Sequence, residues 1–316
     1  MNIKKAVITA AGRGLRTFPA ANPVHKGMLP LVDRDGLTKP VIQIIAEEAI
    51  ESGIEELCVV CAPGDEPQYL ATFEALRENL AAAPAGVTWA HEQASRVDTL
   101  LHHLRFAEQP EPLGYGHAVY SAREFVGDDP FLLLLGDHLY LSRVPEKRCA
   151  QQLIEVAGAE SCPVSAVQAT REHYVGQYGT VLGRRENTPG VYQVEKVVEK
   201  PALSKAELAL QTPGLRAGYY LCFFGMHVLT PAIFELLEPQ LAAPPGNGGY
   251  QLSPALDELA QRQRCLALEL AGTRYDIGQR FGLMQAQIAF AMAGVDRDEA
   301  LITLVESVAT ASRVRA

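Results

Sequence analysis

What most restricts the fold of this chain is its opening. A short apolar run, Ala6-Val7-Ile8-Thr9-Ala10, is followed at once by Gly12, Gly14 and Arg16, and then by Lys26-Gly27-Met28-Leu29-Pro30. An apolar run this short, bounded by turn residues, has the length of a buried strand and is too short for a helix. In an open α/β sheet, ligands collect outside the carboxyl ends of the strands. Glycines at such a place let backbone N–H groups approach an anion, and nearby cations neutralise phosphate charge. The stretch reads as a polyphosphate-binding loop at the start of an α/β domain.

Gly12-x-Gly14 on its own is weakly specific. A dinucleotide fingerprint needs a third glycine at position 17, where Thr17 stands. Its acidic partner would fall on Asp33 or Asp35, in a turn and not at a strand end,. The Gly-Lys-Ser/Thr of a Walker loop is absent. These gaps argue against an NAD-dependent dehydrogenase.

The rest of the chain alternates strand and helix signals. Apolar spacing predicts a helix over 40–52 stopped by Gly53, then a strand over 54–62. This β-loop-α-β order implies a parallel sheet. A helix is expected over 67–83, a short strand over 87–90, and a helix over 116–125 broken by Asp129-Pro130. Phe131-Leu132-Leu133-Leu134-Leu135, closed by Gly136-Asp137, reads as a fully buried central strand,. Asp137 would then emerge on the same rim as the opening loop. A helix over 144–157 and a strand over 163–169 follow.

Between 178 and 228 the pattern changes to shorter alternating strands, turned near 187–190 and 211–214. This is expected to form a smaller β-rich sub-domain laid over the first sheet. Helices over 231–238 and 252–263 and a strand over 266–270 come next, ahead of Asp276. The tail, 296–316, has helical spacing and is expected to pack or to join copies of the chain.

Composition removes several classes. A formal net charge of −9 over 316 residues argues against a broad nucleic-acid or anionic-membrane surface,. A local cluster of cations can still hold a nucleotide. Six cysteines lie scattered in apolar stretches; Cys58-Val-Val-Cys61 sits inside a strand-like run with no further ligand pair, so buried reduced thiols are expected,. No signal peptide or membrane-length apolar run is evident, so a cytoplasmic location is expected,.

Taken as a set, the motifs are more specific. Gly12-x-Gly14-x-Arg16, Pro19 and Lys26-x-Met28-Leu29-Pro30 resemble the G-x-G-T-R-x-x-P…P-K-E-M-L-P signature of sugar-1-phosphate nucleotidyltransferases. Further motifs follow in order: Gln109-x-Glu111-Pro-Leu-Gly114-Tyr-Gly116-His117-Ala118, Leu135-Gly136-Asp137, Tyr178-Gly179, Val198-Glu199-Lys200-Pro201 and Tyr275-Asp276-Ile277-Gly278. The branch they most resemble is the bacterial UTP–glucose-1-phosphate uridylyltransferases, also called UDP-glucose pyrophosphorylases.

The resemblance implies a Rossmann-like mixed, mostly parallel sheet flanked by helices, with a smaller β-rich sugar-binding sub-domain. It covers about 1–292 as one nucleotidyltransferase domain. Within it, about 1–170 would bind nucleotide, about 171–230 the sugar, and about 231–292 would return to the core; 293–316 is a helical tail. The implied reaction is Mg²⁺-assisted attack of glucose 1-phosphate on the α-phosphorus of UTP. Arg16 would grip the departing phosphates and Lys26 would stabilise charge at the reacting phosphoryl. Asp137 and Asp276 are hard oxygen ligands suited to Mg²⁺.

Ala11, Gly12, Gly14, Gln109 and Gly114 would hold the nucleotide, and Gly179, Glu199 and Lys200 the sugar phosphate. Family members are dimers or tetramers, which implies a homo-oligomer. A thymidylyl- or cytidylyltransferase, and a non-catalytic regulatory paralogue, are the alternatives; retention of Arg16, Lys26, Asp137 and Asp276 favours an enzyme. Departures fall at Leu15, His25 and Gly27, at His138 in place of a second aspartate, and at Gly249 in place of a glutamate. His117 is expected to pack at a helix start, and no role is assigned to His138.

Overall fold

The computed structural model describes residues 1–12, 25–246 and 248–313, the last three of these by backbone alone. In chain order the strands are β1 (Lys5–Thr9), β2 (Pro30–Val32), β3 (Thr38–Pro40), β4 (Glu56–Cys61), β5 (Leu104–Glu108), β6 (Phe131–Leu135), β7 (His138–Ser142), β8 (Val164–Arg171), β9 (Thr180–Arg185), β10 (Val191–Val198), β11 (Tyr219–Leu229), β12 (Leu266–Glu269) and β13 (Gly272–Asp276). They fall into two compact units. The larger comprises Met1–Gly12, Ala46–Leu135 and Ser142–Gly272; the smaller comprises the described residues within Arg13–Ile45, Gly136–Leu141 and Thr273–Ala316.

The larger unit is built on a mixed nine-stranded sheet of order β5-β4-β1-β6-β11-β8-β12-β10-β9. From β5 to β6 every pairing is parallel, as the β-loop-α-β order requires. β1 and β6 run in register, Lys5 opposite Phe131 and Thr9 opposite Leu135, so their carboxyl ends lie side by side. Phe131 to Leu134 are wholly buried. A strand covered on both faces needs an apolar residue at every position, which is why this stretch reads as a continuous run. β11 then pairs antiparallel with both β6 and β8.

Several sequence-based expectations need correction. Residues 87–90 form no strand: Thr88–His103 is a helix, and the strand, β5, follows it as the parallel neighbour of β4. Ala90, Ala94, Val97 and Leu100 are its buried face, at helical spacing but carried partly by alanine, which makes a faint signal,. The helix expected over 116–125 is two short ones, Tyr115–Tyr120 and Arg123–Val126. At the break, the Ser121 hydroxyl donates back to the His117 carbonyl, a local bond of the kind that competes with helix continuation. The helix expected from 144 starts at Cys149, because Glu146 sits at φ 57°, outside helical space,.

The strands of 178–228 do not lie over the sheet as a separate layer. β9, β10 and β11 are hydrogen-bonded into it, β10 against β12 and β11 against β8 and β6. Sheet pairing of this kind is long-range and leaves no local mark in the sequence.

In the smaller unit, β2 and β3 form a hairpin whose turn uses Gly36 at φ 80°. The buried Lys39 ammonium lies 2.9 Å from Asp33 and 2.7 Å from Asp35, so its charge is compensated,. β7 pairs with β13. The helix Gly282–Ala293 is tied to β2 by Gln287, whose Oε1 accepts the Val32 N–H at 3.0 Å. The helix Arg297–Arg313 ends the unit.

All six cysteines are buried and none forms a disulfide, and burial pushes the Cys58 and Cys265 thiols up to about 12. They are inert packing groups, as expected. No helix among the described residues is long and apolar enough to cross a membrane.

Candidate active site

Three groups of expected site residues can be placed, one in the smaller unit and two in the larger. Gly14 and Arg16 lie outside the described residues. Ala11 is buried and Gly12 exposed just beyond the carboxyl end of β1, where Ala10 N–H donates to Val60 O at 2.8 Å.

The first group is the charged one. Lys26 opens a single turn of 3₁₀ helix, Lys26–Met28, and its Nζ lies 2.9 Å from Asp137 Oδ2. The His138 ring holds the other oxygen, with Nδ1 2.9 Å from Asp137 Oδ1. Asp276 closes β13, and the pairing of β7 with β13 brings it near Asp137, whose carbonyl accepts the Ile277 N–H at 3.0 Å. Asp276 is itself held: Gly278 N–H donates to Oδ1 at 2.8 Å and the Gln279 amide to Oδ2 at 3.0 Å.

Burial alone would raise the Asp137 carboxyl. The His138 hydrogen bond and charge, then Lys26, outweigh it and hold the group well below the usual carboxylate range,. Asp137 is therefore ionised at any working pH. Donor atoms of Asp137, His138 and Asp276 all lie within 4.8 Å of one another. Two carboxylates and an imidazole at that spacing fit a divalent cation.

The second group is the loop after β5. Gln109 is buried; its N–H donates to Cys61 O at 2.8 Å and its side-chain Nε2 to Gly114 O at 3.1 Å. His117 Nδ1 lies 3.0 Å from Glu111 O and caps the same loop. The loop is pinned by the 249–251 segment: Tyr250 N–H donates to Leu113 O, and Gly116 N–H to Tyr250 O, both at 2.7 Å. Gly114, at φ 117°, has no room for a side chain, since a Cβ would sit 2.6 Å from the Tyr250 backbone. Gly249, at φ 77°, is equally constrained, because a Cβ there would overlap the Leu113 carbonyl. The departure at Gly249 is thus a packing requirement of this chain.

The third group joins Gly179, Glu199 and Lys200. Alternation along a strand would separate Glu199 from Lys200, but β10 ends at Val198 and Lys200 turns to φ 41°. Lys200 Nζ consequently lies 3.4 Å from Glu199 Oε1. Glu199 Oε2 accepts a 2.5 Å hydrogen bond from the buried Ser253 hydroxyl. A Cβ on Gly179 would meet that hydroxyl at 2.9 Å and the Phe223 ring at 2.5 Å. Sequence reasoning gave no role to Ser253 or Tyr250 and left His138 open. Only His138 carried a signal, its position beside Asp137.

A lysine ammonium, two carboxylates and an imidazole gathered in one cluster are groups suited to handling phosphates and a cation, and the comparisons name the class. The family model described as nucleotidyl transferase matches residues 5–291. The chain belongs to this family and is a nucleotidyltransferase. Among its relatives, UTP–glucose-1-phosphate uridylyltransferase 1 of Streptococcus pyogenes is 37% identical over 296 residues, covering 92% of this chain and 89% of the relative. The UTP–glucose-1-phosphate uridylyltransferase of Bacillus subtilis is 34% identical, covering 96% of each. Among solved structures, UDP-glucose pyrophosphorylase complexed with UDP-glucose aligns at a TM-score of 0.73 and 28% identity, over 92% of this chain and 98% of that one. The enzyme from Acinetobacter baumannii aligns at 0.75 and 25%, over 97% and 100%.

Proposed function

We propose that this chain is a uridylyltransferase that forms UDP-glucose and pyrophosphate from UTP and glucose 1-phosphate. One observation carries the reading: Lys26, Asp137 and Asp276 meet in one cluster, in a chain 34–37% identical to uridylyltransferases over most of its length. A phosphate oxygen of glucose 1-phosphate forms a bond to the α-phosphorus of UTP as the bond to the β-phosphate bridging oxygen breaks. The electron pair leaves with pyrophosphate. Such a displacement needs positioning and charge compensation more than covalent help from the protein.

In this reading Lys26 exchanges Asp137 for the α-phosphoryl oxygens, and Arg16 takes the β- and γ-phosphates. Ala11, Gly12, Gly14, Gln109 and Gly114 form the nucleotide's cradle. Gly179 lies beside the sugar through its backbone, Glu199 accepts its hydroxyls and Lys200 pairs with its phosphate. Asp137 and Asp276 would hold Mg²⁺, which supplies positive charge along the phosphates when bound. UTP as co-substrate supports a cytoplasmic location. The exposed apolar residues of Arg297–Arg313 support assembly of copies into a homodimer or homotetramer.

Pyrophosphate release across a panel of nucleoside triphosphates and sugar 1-phosphates tests the reading. UTP with glucose 1-phosphate should be the best pair. A preference for dTTP or CTP would reassign the base, and no release with any pair would favour a non-catalytic regulatory chain. Asp137→Ala should lower release by about a thousandfold or more. Unchanged release in that variant would remove Asp137 from the reaction.

A further inference from the structure

We infer that His138 is a ligand in the cation site, making it a mixed nitrogen–oxygen site that favours Mn²⁺ or Co²⁺ over Mg²⁺. The inference rests on the proposed cation role of Asp137 and Asp276 and adds a residue to it. Where the resembling family carries a second aspartate, this chain carries His138.

The ring is not a surface group that happens to fall nearby. His138 is 7% exposed, and it heads β7, whose partner β13 delivers Asp276. Its Nδ1 lies 2.9 Å from Asp137 Oδ1, and all three donor groups come within 4.8 Å of one another. Two ligands at right angles, each about 2.1 Å from an ion, stand about 3 Å apart. The separation of Nδ1 from Oδ1 therefore suits two neighbouring ligands as well as it suits a hydrogen bond. To bind a cation, Nδ1 gives up its hydrogen bond to Asp137 Oδ1; the neutral ring then carries its hydrogen on Nε2 and offers the Nδ1 lone pair.

The surroundings hold the donors in place. Gly278 N–H and the Gln279 amide fix both oxygens of Asp276, and Lys26 fixes Asp137 Oδ2. Outer partners of this kind set ligand orientation and affinity. Mg²⁺ prefers oxygen and resists losing its waters, whereas Mn²⁺ and Co²⁺ accept imidazole readily. A neutral imidazole brings no negative charge to the site, so it adds less to the hold on Mg²⁺ than a carboxylate would.

The test is Mn²⁺ binding to the full chain, with and without UTP, followed by pulsed electron paramagnetic resonance for coupling to imidazole ¹⁴N. The wild type should give that coupling. His138→Asp, and His138→Asn as a second variant that retains a hydrogen-bonding amide, should both lose it. In competition titrations, His138→Asp should reduce the Mn²⁺-over-Mg²⁺ preference by at least about tenfold. No ¹⁴N coupling in the wild type, or the same coupling and preference in both variants, would overturn the inference. Pyrophosphate release that persists without ¹⁴N coupling defeats this inference alone. Intact coupling in a chain that releases no pyrophosphate from any pair defeats the proposed function instead.

Discussion

At the scale of single residues, burial decides the behaviour of His227. It lies in β11, wholly enclosed, with Nδ1 2.8 Å from Ser165 Oγ and its ring edge-on to Phe223 at 4.9 Å. Burial pushes its value down from 6.5 to about 3. The unfolded chain takes up a proton as pH falls below about 6.5, and the native state does not until about pH 3,. The contribution is therefore full above pH 6.5 and is lost progressively on acidification, amounting to roughly 3 kcal/mol by pH 4. Asp137, held low in the folded state, adds its own loss from about pH 5 downward, where the unfolded chain begins to protonate it,. Urea unfolding at pH 7 and pH 4 should thus show the wild type losing about 3 kcal/mol more than a His227→Leu, Ser165→Ala double variant. Parallel losses would mean that the ring titrates normally in the native state. Nothing in the sequence around His227 betrays this, because its burial depends on strands distant in the chain. Lys26, Asp137 and Asp276 could be singled out as candidates because each sits in a short sequence motif, and the structure brings their side chains into one cluster. Glu199 and Lys200 were readable as residues but not as a contacting pair, since the φ of Lys200 lies outside any strand pattern.

At the scale of elements, the strong periodic signals correspond to real helices and strands, and the misses have local causes. Val41–Ile50 and Phe131–Leu135 carry dense apolar patterns and lie where expected. Thr88–His103 was missed because its buried face is partly alanine, and Leu203–Ala209 because fewer than two turns leave little pattern,. The junction of β13 with the helix Gly282–Ala293 is where an element boundary bears on the site. A Cβ on Gly282 would overlap the Asp276 carbonyl, so Gly282→Ala must displace the end of β13 that presents Asp276. A shift near 1 Å in a reacting group can cost about a hundredfold in rate. Gly282→Ala should therefore lose about that much turnover while its far-ultraviolet circular dichroism stays that of the wild type. Full activity would mean that the Asp276 backbone has slack that the packing does not suggest.

For the whole molecule, the ordered motifs identified the family, yet the division into compact units could not be read from the chain. The smaller unit is assembled from three separated stretches, and only long-range pairings such as β7 with β13 join them. The same unit ends in a helix that its own packing does not explain. Along Arg297–Arg313, Leu301, Val305 and Val308 recur three and four residues apart, with Ile302 beside them, and all are exposed. Phe281, Met284 and Ile288 repeat this spacing across the start of the preceding helix and are exposed too. Single exposed apolar residues are ordinary, but stripes at helical spacing on two consecutive helices are a feature expected of a protein contact. If copies of the chain meet there, the full chain should have the mass of a dimer or tetramer by light scattering. A chain ending at Gly294 should then be a monomer with the same sheet content. Its unfolding midpoint should no longer depend on protein concentration, because mass action stabilises only the assembled form. A full chain that stays monomeric, or a truncated one that keeps the assembled mass, would assign this helix to some other task.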